Sequence, residues 1–203
     1  METFRFAVMG AGNIGRKFCE AARMAGYETA AVASRSVERA KKWAAENNIR
    51  GAYGDYEQML EKEKPDCVYI ATTADSHYDL TMLCLDHGVP VLCEKAAFLN
   101  SAQARKVFSR SEKEGIFVME ALWSRFLPAV KQAGEWIAQG YVGKPSFAQI
   151  DIGFLAPPEA GNRYRNPKLG GGAAFDITVY AYEIARFLLG REEGLAASAV
   201  WGP

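Results

Sequence analysis

Two short stretches carry residue types whose spacing could do chemistry. The first is Gly10-Ala11-Gly12-Asn13-Ile14-Gly15, a G-x-G-x-x-G run six residues after an apolar strand-like segment begins. Gly10 permits a tight turn off that strand, Gly12 lets a pyrophosphate approach the backbone, and Gly15 allows a helix to pack closely on the strand. A helix opening at Asn13 and Ile14 offers unpaired N–H groups and the positive end of its dipole to phosphates. Glycine-rich turns also serve structure alone. Here the run follows a strand, opens a helix and leads to a second strand, the context of a dinucleotide site.

The end of that second strand bears on which dinucleotide. A carboxylate there would bind the ribose hydroxyls and repel a 2′-phosphate. The sequence reads Ala33-Ser34-Arg35-Ser36, with no acid before Glu38. Arg35 offers a planar fork to a phosphate, and the hydroxyls of Ser34 and Ser36 can donate to it. A solvated arginine beside a helix-capping serine is the plainer alternative. NADP(H) is the favoured cofactor and NAD(H) the second candidate.

The other stretch is Glu94-Lys95, adjacent opposite charges directly after the apolar run Val89 to Cys93. In open α/β sheets, ligands lie beyond the carboxyl ends of the strands. Thr72, Thr73 and Asp75 follow the preceding strand in the same way. A lysine at such an exit could face a nicotinamide and a substrate oxygen, or could make a surface ion pair. Position alone does not choose between them.

The elements that must position these residues alternate over the first 120 or so positions. Strands are expected at 4–9, 29–33, 67–71, 89–93 and 116–119, and helices at 13–25, 37–46, 76–86 and 101–114. Such alternation implies an α/β fold, a Rossmann-type doubly wound parallel sheet covered on both faces. The rhythm changes after Leu122. A helix is expected at 128–139, a half-exposed strand at 146–153, a long apolar helix at 173–189 and a strand at 195–201. This divides the chain into a dinucleotide-binding domain, 1–122, and an incomplete α+β substrate or oligomerisation domain, 123–203. One or two strands make no stable sheet, so the second part either leans on the first or stops before its fold is complete.

Composition excludes several classes. Lys+Arg and Asp+Glu are equal at 24 each, so no global field recruits nucleic acid or an anionic membrane. The N-terminus lacks the pattern of a signal peptide and no apolar run reaches membrane-spanning length, so a cytoplasmic protein is expected. The four cysteines, Cys19, Cys67, Cys84 and Cys93, have no C-x-x-C spacing and read as reduced core residues. With only His77 and His87 besides, no metal is expected.

Taken together, "VMGAGNIG", the Ser-Arg after the second strand, "CEKAAFLN", "VMEALWSRFLP" and "NRYRNPKLGGGAAFDITVY" resemble the Gfo/Idh/MocA family of NAD(P)-dependent oxidoreductases. Within it, the last two stretches are most similar to the dimeric dihydrodiol dehydrogenase and xylose dehydrogenase branch. The resemblance implies that Lys95 lies at the active site beside the nicotinamide and the reacting hydroxyl, with Glu94 as its neighbour. It also implies Asp176 and Tyr180 as the acid and the tyrosine of the following helix. Their spacing of four, continued by Ile184 and Phe187, puts them on one helical face. A nearby ammonium would favour the phenolate, so Lys95 and Tyr180 together could move the hydroxyl proton. His77 stands where the family has a cofactor-side histidine, although Thr73-Ala74 replaces its Pro-Asn and Ala96 replaces its proline. Trp123, Arg125 and Phe154 could line the substrate side, with Arg163 nearby on the loop, although a structural role is the plainer reading of each. The implied activity is hydride transfer between nicotinamide and a polyol, sugar or cyclic diol, in a homo-oligomer. A non-catalytic NADP(H)-binding protein is the alternative. A Rossmann-like methyltransferase would want an acid where Arg35 stands.

Overall fold

The computed structural model describes residues 4–157 and 162–190. Within them the chain forms two compact units: one of residues up to 121 together with 156–176, the other of 122–155 together with the residues from 177 on.

The first unit is built on six parallel strands. They are β1 (Arg5–Met9), β2 (Glu28–Ala33), β3 (Gly51–Tyr53), β4 (Cys67–Ile70), β5 (Val91–Cys93) and β6 (Val118–Glu120), in the order β3-β2-β1-β4-β5-β6. The chain leaves the sheet edge at β3 and re-enters beside β1 as β4. A crevice therefore opens at the carboxyl ends of β1 and β4, where such folds hold a dinucleotide. Alternation along the strands sorts the core. Ala7, Met9, Val68, Ile70, Val91 and Cys93 face α3 (Tyr56–Glu63) and α4 (Ala74–Asp86). Val8, Val32 and Tyr69 face α1 (Asn13–Met24) and α2 (Val37–Glu46). The strand residues are apolar on both faces because helices cover both.

Local signals set the helix starts. The Ser36 hydroxyl accepts from the Arg39 N–H at 3.2 Å to open α2. Asp55 caps α3 through the Gln58 N–H at 2.7 Å. Asn100 caps α5 (Ser101–Glu114) through the Gln103 N–H at 2.9 Å, and α5 ends at Gly115 in the left-handed region, φ 68°. Each side-chain oxygen satisfies a donor that the helix itself leaves unpaired.

Four elements differ from the sequence expectation. β3 and α3 were not foreseen. β3 has only three residues, two of them Gly51 and Ala52, and α3 buries only Met59 and Leu60, so neither shows a clear period. α4 begins at Ala74, two residues before the expected start, so Ser76 is not its cap. Instead the Ser76 hydroxyl donates to the Thr72 hydroxyl at 2.8 Å and to the Thr73 carbonyl at 2.9 Å. Residues 146–153 carry an alternating pattern but form no strand, since no described neighbour pairs with them. The strand expected at 195–201 lies outside the described residues.

The second unit contains a 3₁₀ turn at Trp123–Phe126, α6 (Pro128–Ala138) and α7 (Val179–Leu189). Pro128 starts α6, where its missing N–H costs nothing. Gly134 leaves room for Phe187 of α7: a Cβ there would lie 2.6 Å from the Phe187 ring. The helix expected at 173–189 is present, but its first turn, Ala174–Thr178, is π-wound and only then becomes α7.

Candidate functional site

The glycine run makes the turn from β1 into α1. Gly10 has φ +112°, and a Cβ there would lie 2.7 Å from the Ala71 carbonyl oxygen at the end of β4. Only glycine fits both constraints. A Cβ on Gly15 would meet the Gly10 carbonyl at 3.0 Å and Val8 at 3.2 Å, so its absence lets α1 sit against β1. Gly12 takes the N-cap position of α1 without any side-chain cap. The N–H groups of the first turn, at Asn13, Ile14 and Gly15, therefore remain for a ligand. Asn13 and Ile14 are exposed.

At the end of β2 the arrangement departs from expectation. Ser34 is buried, donates to the Ser36 carbonyl at 2.7 Å and accepts from the Ser36 N–H. The Ser36 hydroxyl caps α2 and donates to Glu38 at 3.0 Å. Both hydroxyls are thus committed to the turn rather than turned outward. Arg35 is exposed. A second guanidinium stands close by: Arg39 donates to the Ala11 carbonyl through Nε at 3.3 Å and Nη2 at 3.0 Å.

The exits of β4 and β5 carry the remaining candidates. His77 is 1% exposed, with Nδ1 3.0 Å from the Ala96 carbonyl and Nε2 3.2 Å from the Thr72 carbonyl. Burial holds its pKa below the usual value. It therefore ties the two strand exits together. Glu94 likewise turns inward, accepting from the Tyr69 hydroxyl, and burial raises its carboxyl pKa against the lowering effect of that bond. The Phe18 ring stacks on Tyr69 at 4.0 Å. His77 and Glu94 are both buried supports; for Glu94, the alternation that aims Lys95 outward aims its neighbour inward.

Lys95 is held in a part-buried ion pair. Its Nζ lies 3.0 Å from the Asp176 carboxylate and also donates to the Asp176 carbonyl. Both side chains are only 14% exposed, so this is no surface pair. The Lys95–Ala96 peptide is cis. Arg163 approaches the same carboxylate at 3.6 Å and lies over the Tyr164 ring at 4.0 Å. Thr72, Thr73, Lys95, Arg163, Gly171 and Asp176 line a cleft of about 40 Å³. Gly171 belongs there for steric reasons, since a Cβ would strike the Arg163 and Asn166 carbonyls.

In the second unit, Tyr180 is buried and its hydroxyl accepts from Trp123 Nε1 at 2.9 Å. Arg125 pairs with Glu183 and lies over the Phe187 ring at 5.1 Å. These contacts hold the turn at 123–126 onto α7. Phe154 is half exposed.

Four residues that matter here were not singled out from sequence. Arg39 and Trp43 of α2 bond to the glycine loop, Tyr69 holds Glu94, and Glu120 accepts from the Ala97 N–H at 2.8 Å. A hydroxyl on a buried strand and an indole on a helix face were available signals, because each needs a partner when buried. Among the described residues, no group of three or more His, Cys, Asp or Glu could hold a metal ion. No described helix is long and apolar enough to cross a membrane.

The family profile described as "Oxidoreductase family, NAD-binding Rossmann fold" matches residues 4–122, and that of the "GFO/IDH/MocA C-terminal domain" matches 130–200. The chain is similar to the trans-1,2-dihydrobenzene-1,2-diol dehydrogenase of Xenopus laevis, 34% identical over 173 residues, 85% of this chain and 52% of the relative. It thus spans about half the length of that curated relative. Among solved structures, an NAD binding oxidoreductase from Klebsiella pneumoniae is 27% identical with a TM-score of 0.82, over 93% of this chain and 54% of the other. A 3-ketoreductase mutant from Actinomadura kijaniata, solved with TDP-benzene and NADP, is 25% identical with a TM-score of 0.77, over 93% and 58%. With the strand order, the glycine turn and a profile match that begins at β1 and runs past β6, this chain belongs to the Gfo/Idh/MocA oxidoreductase family.

Proposed function

We propose that the chain serves an NADP(H)-dependent oxidoreductase that moves hydride between nicotinamide and the hydroxyl-bearing carbon of a sugar or cyclic diol. The observation that carries this reading is the Lys95–Asp176 pair, a largely buried ammonium held by a carboxylate at the exit of β5, beside Thr72 and Thr73. Burying two charges together is costly unless each is well satisfied, so such pairs concentrate where chemistry needs them. Preference for NADP(H) rests on exposed Arg35, the Arg39 guanidinium on the glycine loop and the absence of an acid among Ser34, Arg35 and Ser36, directly after β2. The Actinomadura relative was solved with NADP, and the Klebsiella relative is called NAD binding, so NAD(H) is the competing cofactor. The diol class is supported by the likeness to a trans-1,2-dihydrobenzene-1,2-diol dehydrogenase.

A bound nicotinamide supplies the hydride acceptor or donor. The glycine loop and the start of α1 would bind the pyrophosphate, Arg35 the ribose end, and Thr72, Thr73 and Lys95 would stand on the nicotinamide side. Asp176 orients the Lys95 ammonium, which stabilises charge developing on the substrate oxygen. The family resemblance assigns the hydroxyl proton to Tyr180. Positioned proton transfer of this kind typically contributes ~10²–10⁴ in rate.

Titration with NADPH and, separately, NADH, followed by energy transfer from tryptophan, tests the reading. Tighter NADPH binding that weakens in Arg35→Ala, with diol or sugar turnover abolished in Lys95→Ala, is expected. Binding without turnover on any polyol, sugar or diol would instead indicate a non-catalytic NADP(H)-binding protein. Failure to bind either cofactor would overturn both.

A further inference from the structure

α2 grips the glycine loop from behind. Trp43 Nε1 donates to the Gly12 carbonyl at 3.1 Å, and Arg39, one turn earlier on the same helix, holds the Ala11 carbonyl. Trp43 is 8% exposed and packs among Val8, Cys19, Ala40 and Ala44. Its ring also lies where it would touch a Cβ on Gly15, at 3.4 Å. A phenylalanine would fill most of that space. The indole N–H is what differs, and it is spent on the loop.

The loop has a conflict to resolve. A serine or aspartate at the N-cap of α1 would fix the turn, but it would consume the N–H groups that a pyrophosphate needs. Gly12 leaves those groups available and brings the conformational freedom of glycine. Trp43 restrains the same peptide from its other side. The Gly12 carbonyl already accepts the first helical bond, from the Arg16 N–H at 3.2 Å, and its second lone pair takes the indole. The peptide is planar and trans, so fixing that carbonyl fixes the Asn13 N–H pointing the opposite way, out of the helix start.

Resting on the dinucleotide reading above, we propose that Trp43 is a positioning residue for the pyrophosphate: its indole N–H holds the Gly12 carbonyl, leaves the first-turn N–H groups for the ligand and pre-orders the binding loop. Pre-ordering raises affinity by reducing what the ligand must immobilise. The pyrophosphate is common to both cofactors. Loss of the bond therefore weakens NADPH and NADH by one factor and leaves their ratio unchanged.

The test is calorimetric titration of both cofactors into wild type, Trp43→Phe, and a chain carrying benzothienylalanine at 43, in which sulfur replaces the N–H without changing shape. Each variant should bind NADPH and NADH about twofold to tenfold more weakly, the size of one net hydrogen bond, at an unchanged preference. A packing role predicts that benzothienylalanine binds like wild type. That result overturns the proposal and leaves the dinucleotide reading intact, as does a change in the NADPH/NADH ratio. A wild type that binds neither cofactor removes the reading and the proposal with it. Should Trp43→Phe not fold, the isosteric variant decides alone.

Discussion

Asp176 receives two cations, Lys95 at 3.0 Å and Arg163 at 3.6 Å, so the cleft around one carboxylate is formally positive. An oxygen gaining negative charge is favoured there, and more so out of water. His77 works at the same place without touching it. Each ring nitrogen faces a backbone carbonyl, of Ala96 and of Thr72, yet a neutral imidazole has one N–H to give. Burial outweighs those bonds and the nearby Asp75 charge, and holds the pKa below 6.5. In that case the unfolded chain binds more protons than the native one as pH falls below 6.5, and stability is lost on acidification. Unfolding midpoints from about pH 7.5 to about pH 5.5 should drop further for wild type than for His77→Gln. Parallel pH profiles would show that His77 does not titrate against folding. Lys95 was legible in the sequence because an ionic residue closing an apolar strand has few places to go. The inward turn of Glu94 and the local bonds of Ser34 and Ser36 were not. A sequence gives the chemistry of a side chain, while its rotamer and partners are fixed by packing.

At the scale of elements, what could be read depended on length and on neighbours. β1, β2, β4 and β5 are apolar on both faces and announce a parallel sheet, and the glycine run announces the β1–α1 turn. β3 escaped because three residues establish no period, although Asp55 with Gln58 three positions on marked the start of α3. The segment 146–153 misled for the opposite reason: its alternation is real, but a strand exists only with a partner. The β1–α1 junction also carries a sharp expectation. A methyl on Gly15 meets a backbone carbonyl at 3.0 Å and Val8 and Trp43 at 3.2 and 3.4 Å, so α1 must shift from β1. Gly15→Ala should lower stability by about 1–3 kcal/mol, the usual cost of overpacking, despite the better helix propensity of alanine. Chemical denaturation measures this directly. A variant as stable as wild type would mean that the helix accommodates the methyl and that Gly15 is not needed for close packing.

At the scale of the molecule, the proposed cofactor residues, 10–15, Arg35, Thr72, Thr73 and Lys95, all belong to the first unit, and so do Arg39 and Trp43. The second unit holds Trp123, Tyr180 and α6. A ligand that binds the folded state alone stabilises whatever must stay folded to bind it, by about 2.7 kcal/mol at a hundred times its dissociation constant. Saturating NADPH should therefore protect the amides of the glycine loop, the first turn of α1 and the start of α2 against hydrogen exchange. It should also slow exchange in β1 and β4, which open only when the sheet does. Those strands supply the carbonyl of Ala71 and the turn at Gly10, so the loop cannot keep its shape once they part. Protection confined to α6 and α7, with the loop unchanged, would mean that NADPH is held elsewhere and that the glycine turn is structural. Equal slowing of loop and strands would show that the site and the sheet unfold as one body, as expected when a single crevice between β1 and β4 positions the ligand.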